Sequence, residues 1–345
     1  MDFKTYGQFI LEETAALLAI DSPSGMTREA AQHVKARFEA LGFDAQITRK
    51  DGVLISLGGR DKGNAVLLEA HMDTLGGMVC GIKSNGRLKI TRIGGLNANN
   101  VETENCRVVT KFNGVYEGTA QLANASIHVN GKYSDEARTF DSIEIVLDEV
   151  VKTAEDVRAL GIATGDFVCF EPRTRVTKSG YIKSRFLDDK LSVGILLGYA
   201  KYLKEENITP ERAVYVHVTA FEEVGHGGSA GVPEGVTEAI SVDMGCVGDA
   251  VECDERMVSI CAKDSGGPYH YDVVTGLIAA AKKMDAQYSV DVYPHYGSDV
   301  EATLRAGYDI RHGLIGSGVY ASHGYERSHV DGAVNTLKVL IGYLG

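Results

Sequence analysis

The chain has 345 residues, 44% of them hydrophobic, and carries 35 Lys plus Arg against 47 Asp plus Glu, a formal charge of −12. This is enough apolar material for one large domain or two smaller ones, which excludes a disordered or fibrous chain, and the acidic balance without a Lys/Arg-rich run excludes nucleic acid as a partner. No apolar run approaches the roughly 20 residues that cross a bilayer, and the acid-bearing N-terminal stretch lacks a small-residue cleavage site, so no membrane association and a cytoplasmic location are expected. From Phe3 to Leu18 apolar residues recur at helical spacing, and a second amphipathic helix follows with Ser24 or Thr27 as cap and Gly42 as stop. Residues 44–73 then read as three strands, the last, Ala65 to Ala70, continuously apolar as in a strand buried on both faces.

From about Leu75 to Lys178 the texture changes to short β-rich segments punctuated by turns such as Ser84-Asn85-Gly86 and Asn113-Gly114. One helical stretch interrupts them, with Thr153 as cap and Gly161 as stop. After Ser184 strands and helices alternate again: a helix Leu191 to Lys204, strands at Ala213 to Ala220 and Ala239 to Asp243, a helix Tyr271 to Met284, a strand Tyr288 to Tyr293, a helix after Ser298, a strand Ile310 to Ser317 and a last helix from about Ala333. The pattern predicts an α/β fold, a mostly parallel mixed sheet flanked by helices, with an inserted β-barrel or sandwich. The α/β domain would comprise 1–74 and 179–345, and the insertion 75–178. The six cysteines show no CxxC pair and read as reduced. The 40 glycines imply many tight turns and close backbone approaches.

In an open α/β sheet, ligands bind beyond the carboxyl ends of the strands. There the sequence places His71 and Asp73, Glu222 and Glu223, Asp243, and a late histidine, with Asp188 and Asp189 at a helix entry. Two imidazoles and three carboxylates suit a pair of divalent metals such as zinc or cobalt, with one carboxylate bridging. Such a pair activates water and polarises a carbonyl, which points to hydrolysis.

The segments HMDTLGGMVCGIKSNGRLKITRIGG, DDKLSVG, FEEVGHGGSAG, SVDMG and HYGSDVEA together resemble, over nearly the whole chain, the cocatalytic dinuclear metallo-aminopeptidase family that contains the tetrahedral (TET) aminopeptidases and the glutamyl aminopeptidases. The resemblance implies two divalent metal ions per subunit held by His71, Asp188, Glu223, Asp243 and a late histidine, with Asp188 bridging. It implies Glu222 as general base for a metal-bridging hydroxide and Asp73 bonded to the far nitrogen of His71; Asp189 reads as a helix cap. Where the family ends its last core strand with RY-x-HS-x-x-E, this chain reads VYASHGYERSH, so His323 and His329 compete for the fifth position, with spacing and the nearby Glu326 favouring His323. The implied activity is removal of N-terminal residues from peptides. Deacylases, deacetylases and dipeptidases acting on small N-acyl or amidated peptides are the alternative, and a non-enzymatic assembly module would require a broken ligand set. The insertion resembles the domain through which the family forms dimers and tetrahedral dodecamers, so a homo-oligomer is expected.

Overall fold

The computed structural model describes residues 2–345 and divides the chain into two compact units. One contains the chain up to Asp73 together with Arg173–Gly345, and the other is Thr74–Pro172. The second unit ends at Pro172, where the sequence suggested Lys178, because the short strand Arg175–Val176 pairs with Tyr181–Ser184 in the larger unit's sheet.

The larger unit is built on a 12-stranded sheet. Its main path runs Asp44–Ile47, Val53–Gly58, Arg212–Thr219, Asp61–His71, Val236–Val242, Arg311–Tyr320, Glu326–His329, Tyr181–Ser184, Arg175–Val176. Gly245–Val247 and Val258–Lys263 add to Arg311–Tyr320, and Tyr288–Val292 adds to Val258–Lys263. The four strands from Arg212–Thr219 to Arg311–Tyr320 are mutually parallel. Successive side chains on a strand point to opposite faces. Val66, Leu68 and Ala70 accordingly join one apolar cluster and Leu67 the other, which explains the unbroken apolar run.

The first cluster is formed with the helices Phe3–Leu18, Arg28–Ala40, Leu187–Glu205, Tyr271–Lys283 and Val330–Leu344, while Val300 of the short helix Asp299–Arg305 belongs to the second. Phe3–Leu18 lies hard against Leu187–Glu205: a Cβ at Gly194 would meet Thr14 Oγ1 at 2.3 Å, and one at Gly198 would meet Ile10 Cγ1 at 2.7 Å. The buried Lys190 donates to Leu17 O at 3.1 Å and Ile20 O at 2.7 Å, placing a cation at the carboxyl end of Phe3–Leu18, where the helix dipole favours it. Strands that the sequence did not predict, among them Val258–Lys263 and Glu326–His329, complete the sheet, and the last helix begins at Val330.

The smaller unit is a closed barrel in the order Gly76–Ile82, Leu88–Ile93, Ile143–Leu147, Val115–Leu122, Asn105–Val109, Phe167–Phe170. Its helix Ala154–Ala159 starts with a capping box in which Thr153 Oγ1 accepts from the Asp156 N–H while the Asp156 carboxylate accepts from the Thr153 N–H. Among the described residues no helix is long and apolar enough to cross a membrane.

Candidate metal centre and active site

The carboxyl ends of the four parallel strands form one rim. Asp61–His71 ends in His71, opposite Thr219 of Arg212–Thr219, and the latter strand runs through Ala220 and Phe221 into the single turn Glu222–Val224. Val236–Val242 delivers Asp243, whose N–H donates to Ile315 O at 3.0 Å. Arg311–Tyr320 leads into the turn that carries His323 at φ 61°. Asp188 and Asp189 open the helix Leu187–Glu205 with non-helical backbone angles and are joined by a cis peptide bond.

The side chains converge. Asp188 lies between the two imidazoles, with Oδ1 3.1 Å from His71 Nε2 and Oδ2 3.5 Å from His323 Nε2. Glu223 Oε2 is 3.6 Å from His323 Nε2, and Glu222 Oε2 is 3.8 Å from His71 Nε2. One ligand atom each of His71, Asp189 and Asp243 lie within 4.8 Å of one another, as do those of His71, Asp188 and Glu223. His329 lies elsewhere: its Nε2 donates to Ser179 O at 2.7 Å and its Nδ1 accepts the Asp331 N–H at 3.0 Å, capping the last helix.

Asp73 takes a different part from the one expected. His71 Nδ1 donates to the main-chain carbonyl of Asp73 at 2.9 Å, which fixes the tautomer as a carboxylate would. The Asp73 carboxylate, 3.6 Å from that nitrogen, accepts the N–H groups of Glu222 at 3.1 Å and Glu223 at 3.4 Å and the Ser24 hydroxyl. It therefore orients the two glutamates as well. Asp189, expected as a cap, accepts the His71 N–H at 3.2 Å through Oδ2, while its Oδ1 is buried without a partner.

Three further residues also serve the rim. Glu326, fully buried, accepts the Asp188 N–H at 3.1 Å and the His323 N–H at 2.9 Å, coupling two segments far apart in the chain. Asp299 accepts the Gly228 N–H and the Thr219 hydroxyl, each at 2.6 Å. Tyr296 donates to Met244 O at 2.8 Å, next to Asp243. His226 is exposed and stacks on Phe221 with ring centroids 4.9 Å apart.

Electrostatically the rim is short of positive charge. Burial pushes the carboxyl groups of Asp189, Glu222 and Glu223 well above their ordinary values and that of Asp243 up to about 7, with neighbouring acids adding to it. Burial opposes charge on His71, yet the bond to Asp188 and the carboxylates of Glu222, Asp189 and Asp73 push its pKa well above the usual imidazole range. His323 is raised to about 10, first by its bond to Asp188 and against burial. Burial likewise works against the Asp188 carboxylate, but the bonds from His323 and His71 hold it below the usual range. Two imidazoles cannot balance five acids, and an uncompensated buried charge is costly. The orphaned Asp189 oxygen, the His/carboxylate donor set and the charge deficit all fit hard or borderline divalent cations.

Comparison with known proteins agrees with this chemistry. The family model described as M42 glutamyl aminopeptidase matches residues 51–339. The chain belongs to that family. It is 41% identical over 334 residues to YhfE of Bacillus subtilis (strain 168), described as a candidate aminopeptidase, covering 97% of this chain and 96% of that protein. Among solved structures, the TET aminopeptidase of the marine sediment archaeon Thaumarchaeota archaeon SCGC AB-539-E09 matches with a TM-score of 0.87 at 17% identity, covering 97% of this chain and 95% of its own. The Pyrococcus horikoshii TET1 peptidase, which can assemble into a tetrahedron or a large octahedral shell, matches with a TM-score of 0.83 at 20% identity, covering 96% and 98%. These two show the same fold, and the family is one of aminopeptidases.

Proposed function

We propose that this protein is a metallo-aminopeptidase that removes N-terminal residues from peptides and uses two divalent cations, zinc or cobalt, in each subunit. The observation that carries the reading is the rim itself, where Asp188 reaches toward His71 with one oxygen and toward His323 with the other, flanked by Asp243 and Glu223. His71 and Asp243 would hold one cation, Glu223 and His323 the other, and Asp188 would bridge them. When bound, such cations polarise the scissile carbonyl and make water acidic enough to attack at neutral pH.

Glu222 then acts as general base. Its carboxylate lies beside the ligand set without being needed in it, and it takes the proton of the attacking water and delivers it to the departing amine. Asp73 fixes His71 through its carbonyl and holds the backbone of Glu222 and Glu223 through its carboxylate. Glu222→Gln should lower kcat by about 10²–10⁴-fold, the range for a lost general base, while leaving bound metal unchanged. Near wild-type turnover in that variant would remove Glu222 from the role. Aminoacyl anilides assayed beside N-acyl amino acids decide between peptide and acyl-group substrates, and hydrolysis of only the N-acyl set would overturn the aminopeptidase reading.

The six cysteines are free thiols, as suits a reducing, cytoplasmic setting. The barrel Thr74–Pro172 is proposed as the surface through which copies assemble into dimers and on to a tetrahedral dodecamer. Light scattering tests this, and a monomer at micromolar concentration would refute it.

A further inference from the structure

The Glu222–Val224 turn is followed by a glycine-rich return, Gly225 to Ser229, that packs against Asp299 and Thr303. A Cβ at Gly227 would meet Asp299 Oδ1 at 2.2 Å, and one at Gly228 would meet Asp299 O at 2.4 Å and Thr303 Oγ1 at 2.6 Å. Asp299 and Thr303 hold the inner side of this return through the Gly228 N–H at 2.6 Å and the Gly228 carbonyl at 2.8 Å. Its outer side is held by one side chain from a distant part of the sequence. Lys50, on the turn between Asp44–Ile47 and Val53–Gly58, donates its ammonium to His226 O, to Gly227 O at 3.3 Å and to Ser229 Oγ at 3.0 Å. The same ammonium stands 5.7 Å from the centre of the Phe221 ring, directly before Glu222.

The turn that carries Lys50 is itself tightly placed. A Cβ at Gly52 would meet His217 Nε2 and Val218 O, each at 3.0 Å, and the Thr48 N–H donates to Gly52 O at 2.7 Å. Three donors on three acceptors use the full hydrogen-bonding capacity of an ammonium group. We infer that Lys50 is a positioning residue for Glu222 and Glu223, clamping the glycine-rich return against Asp299 so that the base and its neighbouring carboxylate keep their aim. Glycine backbones are the most permissive in the chain, so the aim of a residue just before them depends on such outside anchors. A displacement of about 1 Å at a reacting group costs on the order of 10²-fold in rate.

The inference rests on the aminopeptidase reading, but one readout is independent of it. Lys50 also lines a cavity of 250 Å³ with Thr48, Gly52, His217, Ala220 and Ala230, so truncation would leave room for a small alkylammonium ion. Two variants are compared with wild type: Lys50→Met, which keeps the apolar stem and drops the charge, and Lys50→Ala. Zinc affinity is measured by competition with a chromophoric chelator, and kcat and KM with an aminoacyl anilide. The expected result is a loss of about 10- to 100-fold in kcat and in zinc affinity, the usual effect of removing a partner outside the ligand shell, with KM nearly unchanged. In Lys50→Ala, ethylammonium should restore kcat saturably and ethanol should not. Wild-type zinc affinity in Lys50→Met overturns the inference, as does a loss in Lys50→Ala that ethylammonium does not relieve. If wild-type enzyme hydrolyses no aminoacyl substrate while Lys50→Met still loses zinc affinity, the aminopeptidase reading falls and the positioning role stands.

Discussion

The two ends of the strand Val236–Val242 treat a buried acid in opposite ways. At the amino end Glu238, 1% exposed, accepts Arg212 at 2.9 Å, bonds Arg311 at 3.1 Å and takes the Tyr343 hydroxyl at 2.9 Å. At the carboxyl end Asp243, 5% exposed, has the N–H of Met244 at 2.6 Å and the acids of the rim around it, and its pKa is driven up to about 7. One acid comes with its cations built into the chain and the other does not. A buried acid that serves the fold is neutralised by the fold, whereas acids gathered without Arg or Lys mark a place where a cation is to be supplied from outside.

The largest expected effects separate the two ends. Asp243→Asn should cut metal affinity and turnover by more than about 100-fold, beyond the loss from an outer contact, and a chelator should lower its Tm less than that of wild type because less bound metal remains to be removed. Glu238→Gln should keep metal and kcat but cost about 3 kcal/mol in urea unfolding, since a neutral amide would face two guanidinium groups. The comparison breaks if Glu238→Gln loses metal, or if Asp243→Asn retains it.

Across the intervening strand Asp61–His71, on Arg212–Thr219, lies His217, 3% exposed and with Nδ1 unpartnered at 4.0 Å from Glu69. Burial, aided by the nearby Lys50 charge, holds its pKa down to about 4. The unfolded imidazole titrates near 6.5, so between these values the unfolded chain binds the extra proton. The stability contribution is complete above about pH 6.5 and is lost as pH falls toward 4, by an amount of order 3 kcal/mol. Urea unfolding of wild type and His217→Gln at pH 7 and pH 5 reads this as a smaller loss in the variant. An equal loss would show that other groups carry the dependence.

The smallest effect belongs to the barrel, whose stability should be independent of the rim. Thr153→Ala removes one half of the capping box and should cost about 1 kcal/mol, with zinc affinity and kcat unchanged. A change in either would couple the barrel to the site.

Elements with a strong period were legible in the sequence: the helix Phe3–Leu18 and the run Ala65–Ala70 announce themselves by spacing and by an unbroken apolar stretch. Val258–Lys263 did not, because it is short and its buried face includes Ser259 and Cys261, which say little about strand or loop. Glu326–His329 consists of polar residues whose pairing with Tyr181–Ser184 is settled far away in the chain. At the site, His71, Asp188, Glu222, Glu223 and Asp243 stood out because strand ends and helix entries are where ligands gather. Asp73 was legible as a participant but not in its contacts, since a carboxylate's choice between an imidazole and two backbone N–H groups depends on angles that no local pattern encodes.

What the sequence alone determined is the alternation of strands and helices, the β-rich insertion and the identity of the acids and imidazoles that face a common rim. These follow from hydrophobic period, turn chemistry and the rule that ligands meet strand carboxyl ends, all of which are local. The tertiary structure decided which of two histidines reaches Asp188 and which caps a helix, that Glu326 couples Asp188 to His323, and that Lys50 reaches across to the return after Glu223. Each of those depends on where two distant backbones come to lie, and that is set by the packing of the whole sheet and its helices.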